Sequence, residues 1–154
     1  MKKADWQDDL TTCFEDLKVV ARCREEALEH FERFCDYVVE PAFEALVEEF
    51  QTYLVKARFW KVRGRSIHLE VRFPKSSVDQ FHYILWMPRN SVELRLKLTV
   101  KFRKSTQGPL EEKTVAFIEN VPPAEILKLD QDALAQDVVA RYKKGLYEAA
   151  AATD

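Results

Sequence analysis

The chain reads as an α+β protein. An antiparallel meander sheet of about five strands, over roughly residues 55–118, carries long N-terminal helices and a C-terminal helix on one face. Three observations predict this. Apolar residues recur every three or four positions through the first third, every second position through the middle, and every fourth position near the C-terminus. The connections between the middle segments are of hairpin length, which favours antiparallel pairing. Charge follows the same division. Residues 1–54 hold 6 Lys/Arg and 14 Asp/Glu, residues 55–105 hold 13 and 3, and residues 106–154 hold 5 and 9.

In the first segment Leu10, Phe14, Leu17, Ala21, Leu28, Phe31, Cys35 and Val38 form one stripe, with Arg24 interrupting a seven-residue rhythm. Thr12-Cys13-Phe14-Glu15 has the form of a capping box, so a strong helix is expected to start there, with an earlier turn over Asp5–Leu10 as the alternative. Pro41 is expected to end or kink this helix near Glu40 and to open a second one, which buries Phe43, Leu46, Val47, Phe50 and Leu54. A helix from Asp5 to Val39 would be about 52 Å long, against a globule diameter near 40 Å. Either it breaks near Thr12 or its end rests on another subunit, so a homodimer is expected.

The period changes near Val55. Val55, Ala57, Phe59 and Val62 alternate imperfectly with Lys56, Arg58, Lys61 and Arg63, and Gly64-Arg65 makes a tight turn. Ile67, Leu69, Val71 and Phe73 alternate with His68, Glu70 and Arg72. Phe81 to Met87 is apolar on both faces, as an inner strand would be. From Val92 to Phe102 the alternation is strict, which predicts one long strand. Thr114 to Ile118 gives a fifth, and Pro122-Pro123 closes the sheet. Asp130 is placed to cap a last helix running to about Ala150, with Leu134, Val138, Tyr142 and Leu146 inward. The whole is expected to be one domain over 1–154, with helices over 5–54, sheet over 55–120 and a helix over 130–150.

Composition narrows the function. The chain is 154 residues long, 47% hydrophobic and of net charge −2, which suits a packed globule rather than a disordered chain. No apolar run approaches the roughly 20 residues of a membrane span, and the N-terminus turns acidic without an apolar stretch. No membrane association and a cytoplasmic location are therefore expected. Cys13, Cys23 and Cys35 are odd in number and form no Cys-x-x-Cys pair, so they read as small apolar residues rather than a disulfide framework. His30, His68 and His82 lie far apart, and no metal or cofactor is implied.

Three scattered glycines give no phosphate cradle or dinucleotide fingerprint. No nucleophile elbow or His-Glu-x-x-His helix is present. His68, Glu70 and His82 could form an acid–base pair across strands, although sheet-surface histidines are commoner. A binding role is expected rather than catalysis. Its candidate residues are Arg58, Arg63, Arg72, Arg95, Lys97, Lys101 and Arg103, with Lys56 in support, as a basic face on the polar side of the sheet. Like charges crowded on one face must spread into solvent or be neutralised. The expected partner is a protein, as for a small adaptor or chaperone-like module. Nucleic acid or another polyanion is the alternative, and a small ligand or substrate in a pocket hidden from sequence is the second. Trp60 and Trp86 both break the apolar alternation and could join the polar side.

Overall fold

The computed structural model describes residues 4–117 and 123–151. Helix α1 (Asp5–Phe34) runs into one π-helical turn (Cys35–Val39) and directly into α2 (Glu40–Thr52). Five strands follow: β1 (Ala57–Val62), β2 (Ser66–Arg72), β3 (Asp79–Trp86), β4 (Lys97–Arg103) and β5 (Leu110–Ala116). A one-turn helix α3 (Pro123–Ile126) and the long α4 (Gln131–Ala151) complete the order. The strands pair antiparallel in sequence order, β1-β2-β3-β4-β5, so the meander and the α+β class are as expected.

The first helix does not break at Thr12. It starts at Asp5, where the backbone N–H of Ala4 donates to Gln7 Oε1 at 2.9 Å. Nor does Pro41 end it. Proline has no N–H, and its ring would collide with the carbonyl four residues back in a regular α-helix. The chain widens by one residue there, and the Glu40 N–H reaches the carbonyl of Cys35. This π-turn lets the helix pass the proline without a sharp break. At 1.5 Å per residue, Asp5 to Thr52 spans about 72 Å.

Register sorts the strand residues into two faces. Phe59, Leu69, Tyr83 and Val100 lie in one row, and Ile67, Leu85, Leu98 and Val115 in the next. Most of these are buried beneath Phe31, Phe34, Phe43, Leu46 and Phe50 of the long helix and Leu134 and Val138 of α4. Edge-to-face rings knit the layers: Phe43 meets Tyr83 and Phe59 at 6.0 and 6.2 Å, and Tyr142 meets Phe81 and Phe50 at 5.4 and 5.1 Å. The Tyr83 hydroxyl donates to Asp137 Oδ2 at 2.6 Å, and burial beside that carboxylate raises its pKa well above the ordinary value.

Two strand cations stand on the helix-facing side, Lys113 of β5 in the row of Tyr83 and Lys61 of β1. Lys61, in the row of Ile67 on the edge strand, reaches Asp36 Oδ1 at 2.6 Å and Glu40 Oε2 at 2.9 Å. These bonds raise its pKa and tie β1 to the π-turn. Cys35 is buried, and burial pushes its thiol up to about 12. Cys23 is half-buried, whereas Cys13 is exposed, against the expectation of an inward residue.

Two strand limits differ from expectation. Ladder pairing begins at Lys97 rather than Val92, although Leu94 and Leu96 stay buried. The partner strand β3 ends at Trp86, and Pro88 cannot donate to a ladder, so β3 offers the segment before Lys97 no partner. The fifth strand begins earlier than expected, at Leu110. Its expected end at Ile118, and Pro122 of the expected closure, lie outside the described residues. The last helix conforms: Asp130 Oδ1 accepts the Ala133 N–H at 2.8 Å. No described helix is long and apolar enough to cross a membrane.

Gly145 lies buried on the sheet-facing line of α4 with Leu134 and Val138. A Cβ there would stand 2.5 Å from two carbons of the Phe102 ring. Alanine gains about 1 kcal/mol in helix propensity, but displacing a packed ring costs about 1–3 kcal/mol. Gly145→Ala is therefore expected to lower the urea midpoint despite its better propensity; a raised midpoint would show that the ring gives way freely.

Candidate binding surface

The described helices that pack on the core lie on one side of the sheet, and none of them covers its second face. Its side chains form three rows across the strands. Arg58, Glu70, His82, Lys101 and Glu112 make the first, Trp60, His68, Ile84, Thr99 and Thr114 the second, and Val62, Ser66, Trp86 and Lys97 the third. Both Trp60 and Trp86 thus stand on the polar side.

The first row mixes basic side chains with carboxylates. Arg58 Nη2 donates to Glu70 Oε2 at 3.0 Å, and Glu70 is buried in the sheet surface. Lys101 Nζ lies 3.9 Å from Glu112 Oε2. Arg103, two residues further along β4, donates to the carbonyls of Asp79 and Gly108 at 3.0 and 2.6 Å and reaches Asp79 Oδ1 at 3.4 Å. Asp79 also accepts from His82 Nε2 at 2.5 Å, which holds its carboxyl below the usual range. Lys101 and Arg103 therefore lie within this protein's own ion pairs.

The remaining candidates scatter. Arg95 lies before β4, off the ladder, and pairs with Glu93 at 2.8 Å. Arg63 is in the β1–β2 turn, 4.0 Å from Glu32 of α1, with its side chain 94% exposed. Lys97 is exposed at the opposite end of the sheet from Arg72. In the second row Trp60 stacks on His68, with centroids 4.9 Å apart and planes at 8°, and the Arg58 guanidinium sits 5.0 Å from the Trp60 ring centre. The Trp86 indole N–H donates to Thr99 Oγ1 at 3.0 Å. Ser66 Oγ and His68 Nε2 share a hydrogen bond of 2.8 Å, away from the His82–Asp79 pair. No described cluster of three or more His, Cys, Asp or Glu has the geometry to hold a metal ion.

A different grouping appears where β1 begins and β2 ends. A cavity of about 610 Å³ opens there, with Val47, Leu54, Val55 and Ala57 as its apolar wall. Lys56, Arg58, Arg72 and Lys75 line it, and Glu70 is its one carboxylate, already held by Arg58. Among the described residues no carboxylate lies within ion-pair distance of Lys56, Arg72 or Lys75.

The backbone at this site is unusual. Leu54 has φ 61° and Lys75 φ 57°, left-handed values that cost a non-glycine residue about 1 kcal/mol or more. Leu54 is fixed there by the end of α2: its N–H reaches the carbonyl of Gln51, and the Val55 N–H that of Phe50. Its side chain is 73% exposed at the cavity mouth. Lys75 is fixed by a turn in which the Phe73 N–H donates to the carbonyl of Val78 and the Val78 N–H to Ser76 Oγ.

Of the seven candidates read from sequence, this cavity unites Arg58 and Arg72. Sequence reasoning missed Lys75, a loop lysine with no pattern of its own, and it placed Leu54 on the buried stripe of the second helix, whereas the turn after α2 leaves that residue exposed. Comparison with protein-family models, with curated proteins and with solved structures finds no match to this chain.

Burial, and then the nearby His82 and Lys101, hold the His68 imidazole below its usual range. The unfolded chain therefore binds this proton more readily than the folded one, and stability falls as pH drops below about 6.5. His68→Gln is expected to reduce the loss of melting temperature between neutral and mildly acidic pH. An unchanged slope in thermal melts across that range would remove His68 as the cause.

Proposed function

We propose that this protein acts by binding rather than by catalysis, as a protein-interaction module whose receptor site is the cationic cavity at the β1–β2 end of the sheet. The observation that carries this reading is the composition of that cavity: four cationic side chains around an apolar wall, with one carboxylate that is already engaged. Such a lining suits a polypeptide segment that offers acidic side chains beside an apolar one. The apolar contact supplies burial, and the charges supply orientation and rate of encounter. Strain at Leu54 supports the same reading, since a large apolar side chain held out to solvent in a costly backbone conformation is characteristic of ligand-contacting positions.

Nucleic acid ranks second. A single strand asks for free aromatic faces among unpaired cations. Here Trp60 is stacked on His68, while Lys101 and Arg103 have carboxylate partners. The acid–base pairs of the open face, Ser66 with His68 and His82 with Asp79, do not line this cavity, which leaves it without such a pair for an enzymatic reading.

The test is fluorescence anisotropy with two labelled probes, a short peptide of alternating Glu and Leu and a single-stranded oligonucleotide. The peptide is expected to bind, and Arg72→Glu/Lys75→Glu to weaken it by at least about tenfold, roughly 1.4 kcal/mol. Arg63→Glu, outside the cavity, is the control and should leave affinity unchanged. Tighter binding of the oligonucleotide, or equal peptide affinity in the double variant, overturns the proposal. Leu54→Gly gives a second readout: melting temperature held or raised as strain is relieved, with weaker peptide binding as the apolar wall is lost.

A further inference from the structure

The N-terminal part of α1 is an amphipathic helix with its apolar stripe bare. Trp6, Leu10, Phe14 and Leu17 are 63%, 51%, 60% and 55% exposed. Further along the same helix, the continuation of this stripe, Ala27, Phe31 and Phe34, is buried as core. In heptad terms the inward line runs Trp6, Leu10, Cys13, Leu17, Val20, Arg24, Ala27, Phe31, Phe34, in alternating steps of four and three. Residues up to Arg24 thus form an arm that repeats the core pattern where there is no core to receive it.

Charge on the arm is divided into blocks. Residues 5–16 contain five acidic and no basic residues, and residues 17–24 contain three basic and no acidic ones. Laid parallel and in register, two arms would set acidic block against acidic block and basic against basic. Laid antiparallel, each acidic block lies beside the other arm's basic block. One antiparallel register also meets the heptad: the positions facing one another sum to 30. Leu10 then faces the partner's Val20, Cys13 faces the partner's Leu17, and Trp6 faces the partner's Arg24. That last pairing gives a reason for the one charged residue in the seam, because a guanidinium over an indole is a favourable contact.

We infer that two copies of this chain associate through their arms as an antiparallel helix pair centred near Glu15, with the two sheets at opposite ends. The four exposed side chains offer on the order of 500 Å² of apolar surface per copy, and with their polar flanks this approaches the roughly 800 Å² per partner of a standard interface. The inference is independent of the cationic cavity, which lies at the far end of the long helix.

Sedimentation and chemical trapping test it together. The wild-type chain is expected to sediment at twice 18.0 kDa. Leu10→Asp/Leu17→Asp is expected to sediment as a monomer at the same concentrations, a weakening of at least about a hundredfold, with its thermal unfolding by near-UV signal retained because neither residue belongs to the core. For orientation, Leu10→Cys carrying a tag is mixed with untagged Val20→Cys, both in a Cys13→Ser/Cys23→Ser background, and oxidised. Antiparallel arms give disulfides between the two variants and none within either alone. A wild-type monomer, a dimer that survives Leu10→Asp/Leu17→Asp, or disulfides within a single variant each overturns the inference. So does trapping of the arm against Leu54 or Lys75 of a second copy.

Discussion

The constraint on which the rest of the molecule depends is the crowding of aromatic rings around Tyr83. It lies at the centre of the middle strand, fully buried, with Phe43 of α2 edge-on against it and Phe81 beside it. Its hydroxyl cannot be left without a partner in such a place, and Asp137 of α4 receives it. One side chain thus joins α2, the sheet and α4, and fixes which face the helices cover. Asp137 is itself braced by Arg141 at 2.9 Å, so the buried polar contact is held from the surface. With every long helix drawn to one side, the other face can hold only what water and neighbouring charges tolerate.

Those charges follow from register. In sequence the middle third is strongly basic, and a reader who counts only charge expects a uniformly positive face. The meander distributes the few carboxylates of that region, and those of β5, where they count most. Glu70 falls beside Arg58, Glu112 beside Lys101, and Asp79 beside both His82 and Arg103. These pairs range from partly buried to exposed, and the exposed kind, such as Lys101 with Glu112, contributes only about 0–1 kcal/mol. Their larger effect is to remove Lys101 and Arg103 from the set of cations open to a partner. Lys56, Arg72 and Lys75 keep no carboxylate partner among the described residues and lie together around one cavity.

Much of the fold was legible because its signals are periodic. The switch from steps of three and four to steps of two near Val55 marks the helix–sheet boundary, and Asp130 announces the last helix with a side chain that can do little else there. Features that depend on a neighbour were not legible. The alternation from Val92 continues into β4, but a strand exists only as far as β3 is present to pair with it. Gly145 looks like a weak point in a helix until the Phe102 ring appears beneath it. The site was half visible: Arg58 and Arg72 stand out as strand cations, whereas Lys75 and Leu54 acquire meaning only from the turns that hold them at positive φ.

The π-turn at Cys35–Val39 shows how one local event serves two purposes. Before it, the inward positions are Ala27, Phe31, Phe34 and Cys35. Continued without interruption, the same seven-residue rhythm would place Val38, Pro41, Ala45 and Glu48 inward. The buried residues are instead Val39, Ala42, Phe43, Leu46 and Phe50, so the stripe runs one place later as far as Leu46 and two at Phe50. A single extra residue in the turn produces the one-place displacement and also moves Pro41 out of conflict with the carbonyl behind it. Read from sequence, the combination of a proline and a slipped phase looks like the junction of two separate helices. Physically it is the reverse, because the slip keeps one stripe aligned on the sheet across the proline. The unbroken helical run this permits carries the first five turns of α1 beyond the core, with their apolar stripe exposed.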